Sequence, residues 1–318
     1  MFKKCNSVSF QVPKVLYENR YCNQEGFSIL ICGGYDKNRK ITNEVFEIEV
    51  PSFKLKRFPS LVNPQLYLNL VNMKSDVIAF DNRSTNLNRS LDELAVSVEI
   101  YSGKTKTWTH QHVKMNERSH YCVSSFMGKM YIIGGLIISR HKSRSSCNTY
   151  DINNNTLNKI ADLNEARHYA ASTVFEGKVV VTGGENSWYT LKSVETYDYY
   201  ENKWTYLPDM IETRFNHAAV SMGNKMFVIG GSHKTSCEVF DSFSRKFTKF
   251  YSKFKFSYFE KYFDAFSVDN NIVVFQNFSN HLTETIIHLY DVSKEKWSNI
   301  ECDFTKNRFK SSFVKYYT

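Results

Sequence analysis

Residues 164–210 read NEARHYAASTVFEGKVVVTGGENSWYTLKSVETYDYYENKWTYLPDM. An apolar run, VVVT, ends on the pair Gly183-Gly184. Tyr197-Asp198 follows, and Trp204 stands seven residues after Tyr197. Arg167 stands sixteen residues ahead of the first glycine. Outward from this stretch the same series recurs. MYIIGG ends at Gly134-Gly135, MFVIGG at Gly230-Gly231 and ILICGG at Gly33-Gly34. VIAFDN and IVVFQN keep the run but put Asp81-Asn82 and Gln276-Asn277 where the glycines stand. Self-similarity at a fixed period is the mark of a repeat architecture.

Each run is followed by a couple of bulky residues seven apart: Ile48/Leu55, Tyr101/Trp108, Tyr150/Leu157, Tyr197/Trp204, Phe240/Phe247 and Tyr290/Trp297. From the second member of a couple to the next glycine position the gaps are 26, 26, 26, 26 and 29 residues. Arg118 and Arg214 repeat the sixteen-residue offset of Arg167. Six repeats of about 46 to 53 residues follow from these landmarks.

Each unit reads as four short strands. The glycine-ended run is apolar throughout, as a strand buried on both faces must be. Polar stretches such as DINNNT and YYENK separate the third and fourth strands and read as hairpin turns. No helical periodicity of any length interrupts the pattern. Four-stranded units cannot bury both faces alone, and six arranged radially can. The expected fold is all-β, a six-bladed propeller of antiparallel blades. Its repeats span about 27–60, 61–113, 114–163, 164–210, 211–255 and 256–304. The C-terminal segment NRFKSSFVKYYT mirrors the opening of a repeat, with Arg308-Phe309 matching Arg214-Phe215. A closing strand within 308–318 should therefore pair into the first blade and cover two sheet edges. Residues 1–26 are expected to be a leader or linker remnant outside the ring.

The glycine pairs suit a backbone that turns through positive φ where blades crowd. Asn82 and Asn277 fit that account, Asp81 and Gln276 less well, so blades 2 and 6 should be the least regular. Tyr101, Trp108, Tyr150, Tyr197, Trp204, Phe240, Tyr290 and Trp297 are read as structural aromatics, each a large apolar body with, in most, one polar handle.

Composition narrows the class. Aromatics make up 15% of the 318 residues, far too many for a disordered chain. Only 13 glycines and 7 cysteines exclude collagen-like and disulfide-scaffold chains. No uncharged apolar run approaches the length of a membrane span, and the N-terminal stretch lacks the apolar core of a signal peptide. The odd number of unpaired-looking cysteines suits free thiols in a reducing, cytoplasmic setting. The net charge of +9 is dispersed over 41 basic and 32 acidic residues, the pattern of a solvated surface rather than a nucleic-acid site. His110 and His112 have no third ligand at a suggestive spacing, and no nucleophile, phosphate-loop or zinc-protease motif occurs. No catalytic residue, metal or cofactor is expected.

Taken together, the glycine pairs, the spaced Tyr-Asp and Trp and the period near 50 resemble Kelch repeats, across roughly residues 27–318. The arginine of EARHYAASTV and ETRFNHAAVS, and the C-terminal closing strand, resemble the Kelch domain of BTB–Kelch proteins in particular. That resemblance implies a substrate-recruiting module of a cullin-based ubiquitin ligase, where a BTB domain dimerises and holds the cullin and a BACK domain links it to the ring. The 26 residues ahead of the ring are too few for either domain, so the expectation is a ring without them. The alternative is a free-standing Kelch scaffold, associated with the actin cytoskeleton.

Binding should concentrate on the loops of one propeller face. Segments leading into the first strands supply Arg118, Arg167, Arg214 and Arg308. Segments after the glycine pairs supply Tyr35, Trp188, Tyr189, Ser232 and His233. Arginine forks beside exposed aromatics suit an acidic peptide. The competing reading ties each arginine to a carbonyl or acid of the adjacent blade. Arg140, His141, Lys142 and Arg144 form the most basic patch, able to widen a positive mouth.

Overall fold

The computed structural model describes residues 27–36, 38–50, 52–81, 94–231, 234, 236–251, 263–277, 285–300 and 312–317. They form six four-stranded antiparallel sheets. Blade 1 holds β1 (Phe27–Cys32), β2 (Val45–Glu49) and β3 (Lys54–Phe58). Blade 2 holds β4 (Leu68–Met73), β5 (Asp76–Asp81), β6 (Leu94–Ser102) and β7 (Thr107–Met115). Blade 3 has β8 (Cys122–Phe126) and β9 (Lys129–Ile133), a small hairpin of β10 (Leu136–Ile137) and β11 (Lys142–Ser143), then β12 (Cys147–Asp151) and β13 (Thr156–Ile160). Blade 4 is β14 (Ala171–Phe175), β15 (Lys178–Thr182), β16 (Val194–Asp198) and β17 (Lys203–Leu207). Blade 5 is β18 (Ala218–Met222), β19 (Lys225–Ile229), β20 (Ser236–Asp241) and β21 (Lys246–Tyr251). Blade 6 is β22 (Phe263–Val268), β23 (Asn271–Asn277), β24 (Thr285–Asp291) and β25 (Lys296–Ile300). The last strand, β26 (Ser312–Tyr317), pairs antiparallel with β1 from Phe27↔Tyr317 to Cys32↔Ser312. The ring closes as expected. First strands β26, β4, β8, β14, β18 and β22 touch in that cyclic order around the axis.

Register explains the seven-residue interval. Tyr197 lies directly opposite Trp204, Tyr101 opposite Trp108, Tyr150 opposite Leu157 and Tyr290 opposite Trp297. Ile48/Leu55 and Phe240/Phe247 obey the same rule. In blades 3 to 6 an aspartate follows the first member of the couple and shapes the turn between the partners. Asp198 Oδ1 accepts from the N–H groups of Tyr200 and Glu201, and Asp151, Asp241 and Asp291 do the same in their blades. Such side-chain acceptors replace a strand ladder with a local turn.

The described core divides into six hydrophobic clusters, one between each pair of neighbouring blades. Tyr197 and Trp204 join Tyr131 and Ile133 of blade 3, and Tyr290 and Trp297 join Phe227 and Ile229 of blade 5. The couples of blades 2 to 6 pack on the preceding blade, while in blade 1 only Ile48 does and Leu55 is exposed. Trp204 Nε1 donates to Ala161 O at 3.0 Å and Trp108 Nε1 to Pro59 O at 2.8 Å, so each ring also carries an interblade hydrogen bond. Replacing such a residue by alanine costs about 3–5 kcal/mol.

Blades 2 and 6, expected to be least regular, keep the common strand order. They differ where the glycines are lost. Asn277 does not turn; it extends β23 and pairs with Thr285. Gln276 is buried and its amide oxygen meets His288 Nε2 at 3.0 Å. Asn82 lies outside the described residues, as do Cys5, Cys22 and Cys302. Cys32, Cys122, Cys147 and Cys237 are free and buried, and burial raises each thiol, Cys122 to about 11. No described helix is long and apolar enough to cross a membrane.

Candidate functional site

The three described arginines of the repeat lie beneath the loop face and not on it. Arg118, Arg167 and Arg214 are 2%, 1% and 0% exposed. Arg167 Nη1 donates to Gly183 O at 2.7 Å and Ser193 O at 3.1 Å, and Nη2 to Glu195 at 2.6 Å. Arg214 repeats this with Gly230 O, Ser236 O and Glu238. Glu195 and Glu238 are themselves fully buried, so each ion pair is sealed inside its blade. A second acid completes the set, Glu165 beside Arg167 and Glu212 beside Arg214. Against its own desolvation, bonds from Lys249 and Ser236 and the Arg214 charge hold Glu212 down to about 2.

The same residues join adjacent blades through their backbone. Arg167 O accepts from Gly135 N at 2.8 Å, Arg214 O from Gly184 N at 2.8 Å, and Gln65 O from Gly34 N at 3.0 Å. Here the glycines are needed. Gly134 and Gly183 have φ of +62° and +52°, and a Cβ on either meets the next blade's Arg167 or Arg214 carbonyl at 2.4 Å. Gly33, Gly34, Gly135, Gly184, Gly230 and Gly231 also have positive φ. The expectation of solvent-facing arginines is therefore corrected. The competing reading holds for Arg167 and Arg214 in the kind of partner, carbonyls and acids, but these side-chain partners belong to the arginine's own blade and not to the adjacent one. Arg308, Ser232 and His233 lie outside the described residues.

What the face presents comes from elsewhere. Alternating strand directions put the segments after the glycine pairs and those leading into the first strands at one end of the ring. In blade 4, Asn186 Oδ1 accepts from Trp188 N at 2.8 Å and Tyr189 N at 2.9 Å, fixing a turn whose tip exposes Trp188 (89%) and Tyr189 (61%). Tyr189 OH donates to Glu165 at 3.3 Å, and Glu185 is half-buried nearby in the chain. Ser143 N donates to Ser187 Oγ at 3.1 Å, which joins this turn to the β10–β11 hairpin. That hairpin exposes Arg140, His141 and Lys142. Tyr35 is half-buried in a bridge with Ile41 on blade 1, across the ring from Trp188.

A ring of strained residues surrounds the axis at the same end. Tyr67, His120, Tyr169 and Asn216, each two positions after Gln65 or a repeat arginine, have φ between 51° and 55°. Bulky residues rarely adopt this region, and it persists only where surroundings impose it. Here neighbouring blades impose it: Tyr169 N donates to His120 O at 3.0 Å and Asn216 N to Tyr169 O at 2.9 Å. These residues line an axial cavity of about 260 Å³, with Asp264 and Ser312 in its wall. The His120 and Tyr169 rings sit 4.3 Å apart. Burial first, then the nearby His168, push His120 down to about 4, so its imidazole is neutral at physiological pH. The sequence reading missed these four positions. Their signal is a polar or aromatic residue at a constant offset where the strand pattern asks for a small apolar one.

A family model described as the Kelch motif matches residues 166–211 and 213–249. Blades 4 and 5 carry Kelch motifs. The remaining four blades repeat their strand order and register, so the molecule is a six-bladed propeller with Kelch motifs matched in blades 4 and 5. A comparison with curated proteins gave no match. A propeller carrying Kelch motifs points to a protein-binding module. His110 and His112 stack edge to face at 4.6 Å, and no group of three or more metal-ligating side chains occurs among the described residues.

Proposed function

We propose that the loop face of blades 3 and 4 captures an acidic segment of a partner protein. One observation carries the reading: a rigid turn exposing Trp188 and Tyr189 is hydrogen-bonded to a hairpin exposing Arg140 and Lys142. Rigid aromatics supply contact area at little entropic cost, and neighbouring cations pair with carboxylates and steer the encounter. The strained Tyr67, His120 and Tyr169 at the axis extend the same face inward. In this reading the ring is the substrate-recognition part of a cullin-based ubiquitin ligase adaptor, reaching the cullin only through a BTB domain, and works in the cytoplasm. It is non-enzymatic and needs no cofactor, nucleic acid or membrane.

The test is capture of partners from lysate by the purified chain, against Trp188→Ala/Tyr189→Ala and Arg140→Glu/Lys142→Glu, each checked for native folding. Partners lost with both variants support the face. An unchanged set removes it. A cullin recovered only when a BTB-bearing partner is added supports the adaptor role.

A second reading, a free-standing Kelch scaffold associated with actin, is favoured by a second exposed aromatic group at the opposite end of the ring. Tyr200 and Phe243 stand on the turns between third and fourth strands of blades 4 and 5, largely exposed. Loss of actin cosedimentation in Tyr200→Ala/Phe243→Ala would favour the scaffold; absence of cosedimentation by the wild type would discard it.

A further inference from the structure

Blade 3 keeps the arginine of the repeat without its acids. In blades 4 and 5 each buried guanidinium meets two carboxylates, Glu165 with Glu195 and Glu212 with Glu238. At the corresponding positions blade 3 has Asn116 and Asn148. Only the serine is retained, Ser146 matching Ser193 and Ser236. Arg118 Nη2 donates to Ser146 Oγ at 2.7 Å and Asn148 Oδ1 at 3.0 Å. Its Nε and Nη1 are buried and meet no acceptor. In the sister blades Nη1 donates to the glycine carbonyl at 2.7 and 2.6 Å.

Among the described residues no carboxylate forms an ion pair with Arg118. Burial, more than the neighbouring Arg144, pushes the Arg118 guanidinium down to about 10, still protonated at neutral pH. The acids of the region are engaged elsewhere: Glu117 accepts from Ser139 N and Oγ, and Asp162 sits 3.7 Å from Lys159. Buried donors and buried charges ordinarily find partners. Arg118 lies among Arg144, Ser146 and Asn148, all half-buried, so it is one side chain below solvent. Arg140 and Lys142 are exposed on the β10–β11 hairpin of the same blade.

We propose that blade 3 binds a small oxyanion, a carboxylate or a phosphate, at the unpartnered Nε and Nη1 of Arg118, supplying the negative charge that the glutamates provide in blades 4 and 5. The anion accepts from Nε or Nη1, and Arg144 adds the second positive charge. The inference stands on blade 3 alone and is independent of the acidic-segment reading. Two sources share this chemistry, an acidic side chain of a bound partner and free phosphate.

The experiment follows the melting temperature of the full chain against inorganic phosphate, with sodium chloride holding ionic strength constant. A parallel series uses an acetylated peptide of alternating glutamate and glycine. A saturable rise in either series supports the site, and the probe that gives it identifies the source. Asn148→Glu supplies the missing carboxylate and should weaken the response at least tenfold. Arg118→Met, which keeps the apolar stem, should abolish it, while Lys104→Ala/Lys106→Ala, which removes two exposed cations from the β6–β7 turn, should retain it. The proposal is overturned if neither probe moves the wild type. It is also overturned if Asn148→Glu responds like the wild type, or if Arg118→Met keeps the response.

Discussion

Blades 3 and 4 are neighbours built on one pattern, and they differ at the centre of the arginine grip. In blade 4 the guanidinium is neutralised by Glu195 and Glu165 and caps two carbonyls. In blade 3 it meets a serine and an asparagine and leaves two donors unmatched. The backbone half of the device is unchanged, since Gly135 N still reaches Arg167 O as Gly184 N reaches Arg214 O. The repeat thus has two separable parts. A backbone staple between blades is kept, and a side-chain ion pair within a blade is kept only where the acids are.

The largest effect should come from breaking the complete grip. Arg167→Ala or Arg214→Ala strands a fully buried glutamate, and losing one partner of such a pair costs about 3–5 kcal/mol. Arg118→Met removes a charge that no carboxylate balances, and its stability should stay within about 1 kcal/mol of the wild type. Urea melts of the three variants measure the contrast directly. Equal losses would show that the grip works through packing of the arginine stem. The same reasoning makes charge reversal at Arg167 or Arg214 a test of folding and not of binding.

The closing seam offers a buried charge of opposite sign that, unlike arginine, can neutralise itself. Asp264 lies at the axis, takes a hydrogen bond from Phe313 N on the closing strand, and is raised by burial from 3.8 to about 7. A carboxyl raised in the folded state favours folding fully below its unfolded value and loses that contribution as pH climbs through the folded one. Stability relative to Asp264→Asn should therefore fall between about pH 4 and pH 7 and level off above, by at most about 4 kcal/mol. Urea melts of both proteins at pH 5 and pH 8 read the difference. Subtracting the variant cancels the buried histidines, whose depressed values work in the opposite sense. A constant difference between the two pH values would mean the carboxyl is hydrated in the cavity.

Alanine at the first glycine tests the staple that blades 3 and 4 share. Gly134→Ala and Gly183→Ala each drive a Cβ against a backbone carbonyl at positive φ, and each should cost about 3 kcal/mol. The two values should agree even though the arginine values do not. A much smaller loss in blade 3 would mean that the unpaired arginine already loosens its staple.

The architecture was legible because it rests on short-range regularities. A seven-residue interval is the register of one hairpin, and a glycine pair is a backbone constraint, so both survive in a single chain. The closing strand was legible because Phe309 and Arg308 copy Phe215 and Arg214. Site assignment failed at Arg118, Arg167 and Arg214 because a surface arginine and a buried one look alike in sequence. The distinguishing information lay in Glu195 and Glu238, two residues before Tyr197 and Phe240, inside a strand otherwise read as core. Trp188 was placed correctly on an exposed turn because it had no role in the blade pattern. Tyr67, His120, Tyr169 and Asn216 escaped because their common φ arises only when the blades stand side by side.

The smallest expected effect separates the face from the frame. Trp188 is 89% exposed, and its turn is held by Asn186 and not by the indole. Trp188→Ala should therefore leave stability within about 0.5 kcal/mol of the wild type. Trp204, sixteen residues after Trp188 and on the fourth strand of the same blade, is buried and should show the full loss of a core aromatic. A thermal melt of the two variants side by side checks this. If Trp188→Ala is as damaging as Trp204→Ala, the indole is folded onto the ring in solution, and the aromatic half of the proposed binding face is withdrawn. If it is neutral, any loss of partner capture in the same variant is a loss of contact and not of fold.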